Sequence, residues 1–236
     1  MIAMIKNFIK KLIWGPKYSS GAYIKYLRQQ GVRIGERTVF FAPKDTQIDV
    51  TRPFLIEIGN DVQITEGVTI LSHGYDWSVL KGVYGDILGS AGKVTIGNNV
   101  FIGVHTTILK GVTVGNNVII GANSLVNRDI PDNVVVAGNP AKVIMSIEDY
   151  YQKRIKCQYK EAAVIVKEYR KVYGKNPDED TMSEFFWLFD KRPLQDMPDS
   201  WKRQMYNVGN LDVSINQLSN KELMYDSMEA FFNSID

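Results

Sequence analysis

From Ile96 onward the chain carries an aliphatic residue at every sixth position, through Ile102, Ile108, Val114, Ile120 and Val126, without slippage. Glycine follows directly at Gly97, Gly103, Gly115 and Gly121, and small or β-branched residues stand at Val100, Thr106, Val112, Val118 and Ser124. The same phase runs upstream through Ile58, Ile64 and Ile70, with Gly59, Val62 and Val68 in the matching slots. Ile34, followed by Gly35, lies a further four hexads before Ile58. Side chains repeat about every 3.6 residues on a helix and every second residue on a strand, so neither element yields this spacing. A period of six is the signature of a parallel β-helix, in which each short strand supplies one inward aliphatic residue before the chain turns. Three hexads make one triangular coil, and stacked coils pile these residues into a continuous core.

Ile70 and Ile96 are separated by one hexad plus 20 residues, which predicts an insertion at a corner from near His73 to near Lys93. A loop of this length in a compact repeat is usually functional or disordered, and its aromatic and Asp residues favour function. Fifteen of the 19 glycines lie between Gly31 and Gly138, and the period stops after Pro140. Helical signals follow. Ser146 caps a helix expected to reach Tyr173, with Gly174 as its stop and Pro177 beyond. Thr181 with Glu184, and Ser219 with Glu222, match capping boxes and predict a helix over the Phe185–Phe189 run and a last helix. The expected organisation is mainly β: an N-terminal amphipathic helical segment over 1–30, a β-helix over 31–145 of about six coils with a loop at 73–93, and a helical C-terminal extension over 146–236.

Met1, Ile2, Met4, Ile5, Phe8, Ile9, Leu12 and Ile13 fall at helical spacing, with Lys6, Lys10 and Lys11 elsewhere on the wheel. Such a helix fits peripheral contact of residues 1–14 with an anionic membrane surface. Packing on its own chain or a neighbouring subunit is the leading reading, since many surface helices carry such a pattern. No run of 18 apolar residues exists to span a bilayer, and no signal-peptide cleavage site follows the segment. With 28 basic and 26 acidic side chains the formal charge is +2, which gives no basic field for nucleic acid. The single cysteine, Cys157, excludes an intrachain disulfide and cannot build a thiolate zinc site by itself. A cytoplasmic location is expected.

The stretch from Ile96 to Ile144, and its closing NVVVAGNPAKVI most specifically, resembles the acyltransferases of the left-handed β-helix, hexapeptide-repeat superfamily. Within it the likeness is to sugar O-acetyltransferases of the galactoside and maltose type and of polysaccharide gene clusters. It covers about residues 31 to 145. The resemblance implies a left-handed coil, an exception to the usual right-handed crossover. It also implies a homotrimer with active sites in the grooves between subunits, and acetyl-CoA as the donor.

Acetyl transfer to a sugar hydroxyl needs a base, because an alcohol is a poor nucleophile at neutral pH, and imidazole has a suitable pKa. The chain has two histidines. His73, in TILSHGYDW, stands where the resembled enzymes carry their catalytic histidine at the start of a loop. His105 lies within a regular hexad at a corner, and is the alternative. The expected reaction is direct: His73 takes the acceptor proton, the oxygen attacks the thioester, and backbone N–H groups stabilise the oxyanion. For the cofactor, the resemblance implies an aromatic wall at Phe101, backbone contacts at Val104 and Ala122, and phosphate contacts at Asn127, Arg128 and Lys142. For the carbohydrate acceptor, Asp76, Trp77, Tyr84 and Asp86 of the loop and Asp49 upstream are candidates, since carboxylates accept sugar hydroxyls and aromatic faces stack on pyranose C–H surfaces.

Two histidines per chain cannot easily supply a three-histidine zinc site, so no metal is expected. A xenobiotic O-acetyltransferase acting on an antibiotic hydroxyl would use a histidine at the same place. A catalytically inactive β-helix scaffold is the reading from another class, and the Phe-Phe-Trp-Leu-Phe run of the extension favours some partner role.

Overall fold

The hexad aliphatics stand above one another in three parallel sheets of the computed structural model, which describes residues 9–235. The first sheet holds Arg33–Ile34, Ile56–Ile58, Val94–Ile96 and Thr113–Val114, with Ile34, Ile58, Ile96 and Val114 in register. The second aligns Phe40, Ile64, Ile102, Ile120 and Val136, and the third Ile48, Ile70, Ile108 and Val126. The chain visits the sheets in one cyclic order, so each circuit adds a strand to each sheet. Successive circuits at Ile96 and Val114 are three hexads apart. All these residues are buried and belong to one apolar cluster. Burying each Ile or Val contributes roughly 1.5–3 kcal/mol.

The residues after the core aliphatics make the corners. A Cβ on Gly97 would lie 2.6 Å from the Gly115 carbonyl oxygen of the next circuit, so only glycine lets the coils stack here. Beside it runs an amide ladder. Asn98 Oδ1 accepts from the Asn60 N–H at 2.9 Å, and Asn116 Oδ1 from the Asn98 N–H at 2.8 Å. Asn99 and Asn117 take left-handed backbone angles, φ 53° and 54°, and their side chains are joined at 2.9 Å. Asparagine tolerates that conformation better than most residues.

The first circuit departs from the expected hexads. Ile34 and Ile58 are one circuit apart, not four hexads of regular coil, because 3-10 turns at Pro43–Asp45 and Pro53–Leu55 lengthen two corners. The described residues complete four circuits rather than about six, followed by a bridge from Ile130 to Val114 and the strand Val134–Ala137. Lys142–Ser146 then returns antiparallel on the second sheet. The insertion leaves the corner between the third and first sheets as an ordered hairpin. Its arms His73–Gly74 and Ser90–Ala91 pair antiparallel and enclose the helix Trp77–Tyr84, which ends at Gly85 with φ 83°.

Below the coil, the helix Ser20–Gln30 is capped by Ser19, whose Oγ accepts from the Ala22 N–H at 3.3 Å, and it buries Tyr23 and Leu27 into the same core. Residues 9–14 are helical, with Ile9, Leu12 and Ile13 exposed. The rest of the expected amphipathic helix lies outside the described residues.

A second compact unit begins at Tyr151. Ser146 caps the helix Ile147–Tyr173 as its Oγ accepts from the Asp149 N–H at 3.0 Å, and Gly174 ends it at φ 67°. The Thr181 capping box does not form. Its N–H and hydroxyl donate to Asp178 Oδ1 at 2.9 and 2.7 Å, and a 3-10 turn, Phe186–Leu188, replaces the expected helix. Five adjacent large apolar residues cannot share one helical face. The tight turn buries Phe186, Leu188 and Phe189 and leaves Phe185 and Trp187 half-buried. Ser219 likewise caps nothing: its hydroxyl donates back to Ile215 O inside the helix Leu211–Asn220. The last helix, Met228–Asn233, is capped by Ser227 instead. Cys157 is half-buried on the long helix. No described helix is long and apolar enough to cross a membrane.

Candidate functional site

Register brings two distant residues to one corner. Ile48 pairs with Ile70, so the residue after each leaves the third sheet side by side, and the Asp49 N–H donates to Ile70 O at 3.0 Å. The Asp49 carboxylate then meets the next circuit. Its Oδ2 accepts from the Ser72 N–H at 3.0 Å and the Ser72 hydroxyl at 2.6 Å, and lies 2.5 Å from His73 Nδ1. Its Oδ1 accepts from the Thr51 N–H at 3.0 Å and the Thr51 hydroxyl at 2.6 Å. Thr51 Oγ1 is also 3.0 Å from His73 Nδ1.

Only 5% of the Asp49 side chain and 14% of that of His73 reach solvent. Burial pushes the Asp49 carboxyl up, but the hydrogen bonds from Ser72 and Thr51 outweigh it and hold the group well below the usual carboxylate range. An ionised carboxylate can only accept, so Nδ1 of His73 carries a hydrogen, and in the neutral ring the lone pair is then on Nε2. Asp49 thereby fixes both ring orientation and tautomer.

His73 lines a pocket of about 230 Å³ with Thr51, Arg52, Gly74, Tyr75, Trp77, Gly89 and Ser90. The hairpin supplies most of this wall. Tyr75 meets the His73 ring edge-on at 5.1 Å and lies 6.1 Å from Trp77. Such a pocket sets an imidazole beside aromatic surface. Among the described residues no three His, Cys, Asp or Glu side chains cluster as metal ligands would.

The expected acceptor ligands fare unequally. Trp77 lines the pocket. Both oxygens of Asp49 are committed to Ser72, Thr51 and His73, and it is not among the residues lining the pocket. Asp76 is exposed at the start of the short helix, and Tyr84 and Asp86 are exposed and do not line the pocket. Thr51, Arg52, Ser72 and Tyr75 were not singled out from sequence, although Ser72 and Tyr75 flank His73 in the SHGYDW run. His105 is exposed at another corner, between the second and third sheets, with φ 57° and its N–H donating to Glu66 O at 2.9 Å.

The residues expected to hold the cofactor divide between two places. Asn127 and Arg128 follow the strand Leu125–Val126 and are exposed on the His73 corner, two circuits further on. Phe101 is 41% exposed on the second sheet, between Gln63 and Ile119 in register. Val104 and Ala122 are exposed on the corner that follows, and Lys142 is exposed where the antiparallel strand joins that sheet. One chain alone does not gather these residues around His73.

Comparisons with known proteins agree with this architecture. The bacterial transferase hexapeptide (six repeats) family model matches residues 93–128. Protein CapG of Staphylococcus aureus is 46% identical over 127 residues, covering 54% of this chain and 73% of its own. YvoF of Bacillus subtilis (strain 168) is 34% identical over 161 residues, 66% of this chain and 84% of its own. Galactoside O-acetyltransferase of Escherichia coli (strain K12) is 39% identical over 115 residues, 47% of this chain and 56% of its own. With its hexads stacked in register and relatives matched over most of their own length, the chain belongs to the hexapeptide-repeat transferases and is an acyltransferase of that family.

Proposed function

We propose that this chain transfers an acetyl group from acetyl-CoA to a hydroxyl of a saccharide, with His73 as the general base. The observation that carries the reading is the Asp49–His73 pair at 2.5 Å, which leaves Nε2 free to accept a proton in a pocket walled by Tyr75 and Trp77. Nε2 takes the acceptor proton as its oxygen attacks the thioester carbonyl. The tetrahedral oxyanion, stabilised by backbone N–H groups, collapses and expels the CoA sulfur. The sulfur recovers that proton from His73 and leaves as the thiol, so no acyl-enzyme is needed. A sugar acceptor is favoured by the aromatic wall, which suits pyranose C–H faces, and by the likeness to a galactoside O-acetyltransferase.

The coil is left-handed in this reading, and the protein works as a homotrimer in the cytoplasm. Division of the cofactor candidates between the His73 corner and the Phe101 face supports a groove between copies. In it Phe101 of one subunit faces His73 of the next, Val104 and Ala122 offer backbone contacts, and Asn127, Arg128 and Lys142 meet the nucleotide phosphates. Trp77 contacts the acceptor directly, and Asp76, Tyr84 and Asp86 reach it only when the hairpin meets a neighbouring subunit.

Thiol release from acetyl-CoA, measured against free sugars, nucleotide sugars and chloramphenicol, tests the reading. His73→Ala is expected to lower turnover by about 10²–10⁴-fold and His105→Ala to leave it nearly unchanged. The reverse result sinks the assignment of the base. Turnover with chloramphenicol alone indicates a xenobiotic acetyltransferase, and no binding of acetyl-CoA at all indicates a scaffold.

A further inference from the structure

The C-terminal unit holds a cleft that the acyl-transfer chemistry leaves unused. It measures about 620 Å³, within the range of about 300–1,000 Å³ that small-ligand sites occupy. One wall presents the half-buried rings of Phe185 and Trp187, which pack against the edge of the aromatic core on either side of Phe186. The other walls come from the long helix and from the helix Leu211–Asn220, and they bring Gln158, Asn210, Ser214 and Gln217 to the same space.

Some polar side chains of this unit are committed to the fold. Arg170 donates to Ile235 O and Phe232 O, Ser200 to Asp180, and the Trp201 indole to Glu179 O. Around the cleft Asn220 is likewise committed, its Nδ2 donating to Asn216 O and Oδ1 at 2.9 and 2.8 Å, but several other side chains are not. The Trp187 indole N–H and the side chains of Gln158, Asn210, Ser214 and Gln217 have no hydrogen-bond partner among the described residues. Amides donate and accept at once, as sugar hydroxyls do, while aromatic faces cover the apolar C–H surface of a pyranose. An apolar peptide or a lipid would find a rim of uncommitted amides to desolvate. Arg154, Glu184 and Lys221 line the border with one net positive charge, and Glu161, bonded to Arg154 at 2.7 Å, offsets it.

We propose that this cleft is a saccharide-binding site, separate from the acetyl-transfer centre, that holds a neutral or weakly acidic oligosaccharide. The choice of saccharide over other polar ligands rests in part on the sugar acetyltransferase reading, but binding at the cleft is measurable without turnover.

Isothermal titration of the full chain with maltohexaose and with a neutral-sugar hexasaccharide bearing one uronic acid tests this. Expected is binding of at least one of the two, weakened about tenfold by Gln217→Ala, an exposed position that does not endanger folding, and similarly by Trp187→Phe, which keeps the ring and removes the N–H. His73→Ala should bind normally, so failure of the acetyltransferase reading and failure of this one are told apart. If neither saccharide binds, or if both cleft variants bind like the parent protein, the site is not a saccharide site. Protection of the cleft by a polypeptide but by neither saccharide also overturns the proposal, in favour of a protein partner.

Discussion

Asp49 Oδ2 stands 2.5 Å from His73 Nδ1, and the two residues come from successive circuits of the coil. Neither group could be held this way by its own loop. The strand pairing between Ile48 and Ile70 sets the distance, and Ser72 and Thr51 fix the carboxylate. Asp49→Asn would offer His73 an amide in place of a carboxylate and favour the tautomer with hydrogen on Nε2. Turnover is expected to fall by roughly 10²–10⁴-fold while the KM for acetyl-CoA changes little. Steady-state kinetics on a variant shown to be folded by thermal unfolding would check it; undiminished turnover would mean that the carboxylate has no part in preparing the base.

The same carboxylate predicts a dependence of stability on acid. Its folded pKa lies below the unfolded value of about 3.9, so the folded state favours the ionised form. The stabilisation is therefore complete above pH about 4 and is lost as pH falls from there through the lower folded value. Urea unfolding of the parent protein and of Asp49→Asn should show a stability difference that is constant between neutral pH and about 5 and shrinks below about 4. A difference that grows towards acid would reverse the sign and rule out the hydrogen-bonded carboxylate as its source.

Two glycines at corners separate packing from backbone conformation. A Cβ on Gly97 meets Gly115 O at 2.6 Å, whereas Gly111, at φ 79°, has nothing within 4 Å. Gly97→Ala must push two circuits apart and should cost about 3 kcal/mol, the upper end of overpacking penalties. Gly111→Ala pays only for the left-handed backbone, about 1 kcal/mol. Chemical denaturation of both variants measures the gap, and equal losses would mean that the coils yield more easily than their spacing implies.

The regular coils were legible because one side chain per six residues is a period no other element produces, and Ile96 to Val126 keeps it unbroken. The first circuit was not, because the turns at Pro43–Asp45 and Pro53–Leu55 lengthen its corners and hide Phe40 and Ile48 from the hexad count. That same irregularity concealed the role of Asp49, whose place beside His73 depends on a register of strands rather than on spacing. His73 itself was visible from its local run. The asparagines after Gly59, Gly97 and Gly115, paired at the last two, carried a signal of their own: repeated polar residues at one corner are those that bond from circuit to circuit, as Asn98 and Asn116 do. In the C-terminal unit, capping-box patterns misled at Thr181 and Ser219 because a cap works only where the next residues can be helical, and Phe185 to Phe189 needed burial on several sides.

Gln63 supplies the last test. It sits on the second sheet between Val39 and Phe101 in register, 8% exposed, and neither its Oε1 nor its Nε2 has a hydrogen-bond partner among the described residues. Leaving a buried amide unpaired costs about 1–3 kcal/mol relative to an apolar group of similar shape. Gln63→Leu removes both orphaned atoms, keeps most of the volume and suits a strand next to aliphatic neighbours. The variant is expected to gain about 1 kcal/mol, which for a chain of this length raises Tm by roughly 2–4 °C. Thermal unfolding followed by circular dichroism measures the shift. A loss of stability instead would mean that the amide finds a partner in the working assembly, and the groove beside Phe101 would be the place to look for it.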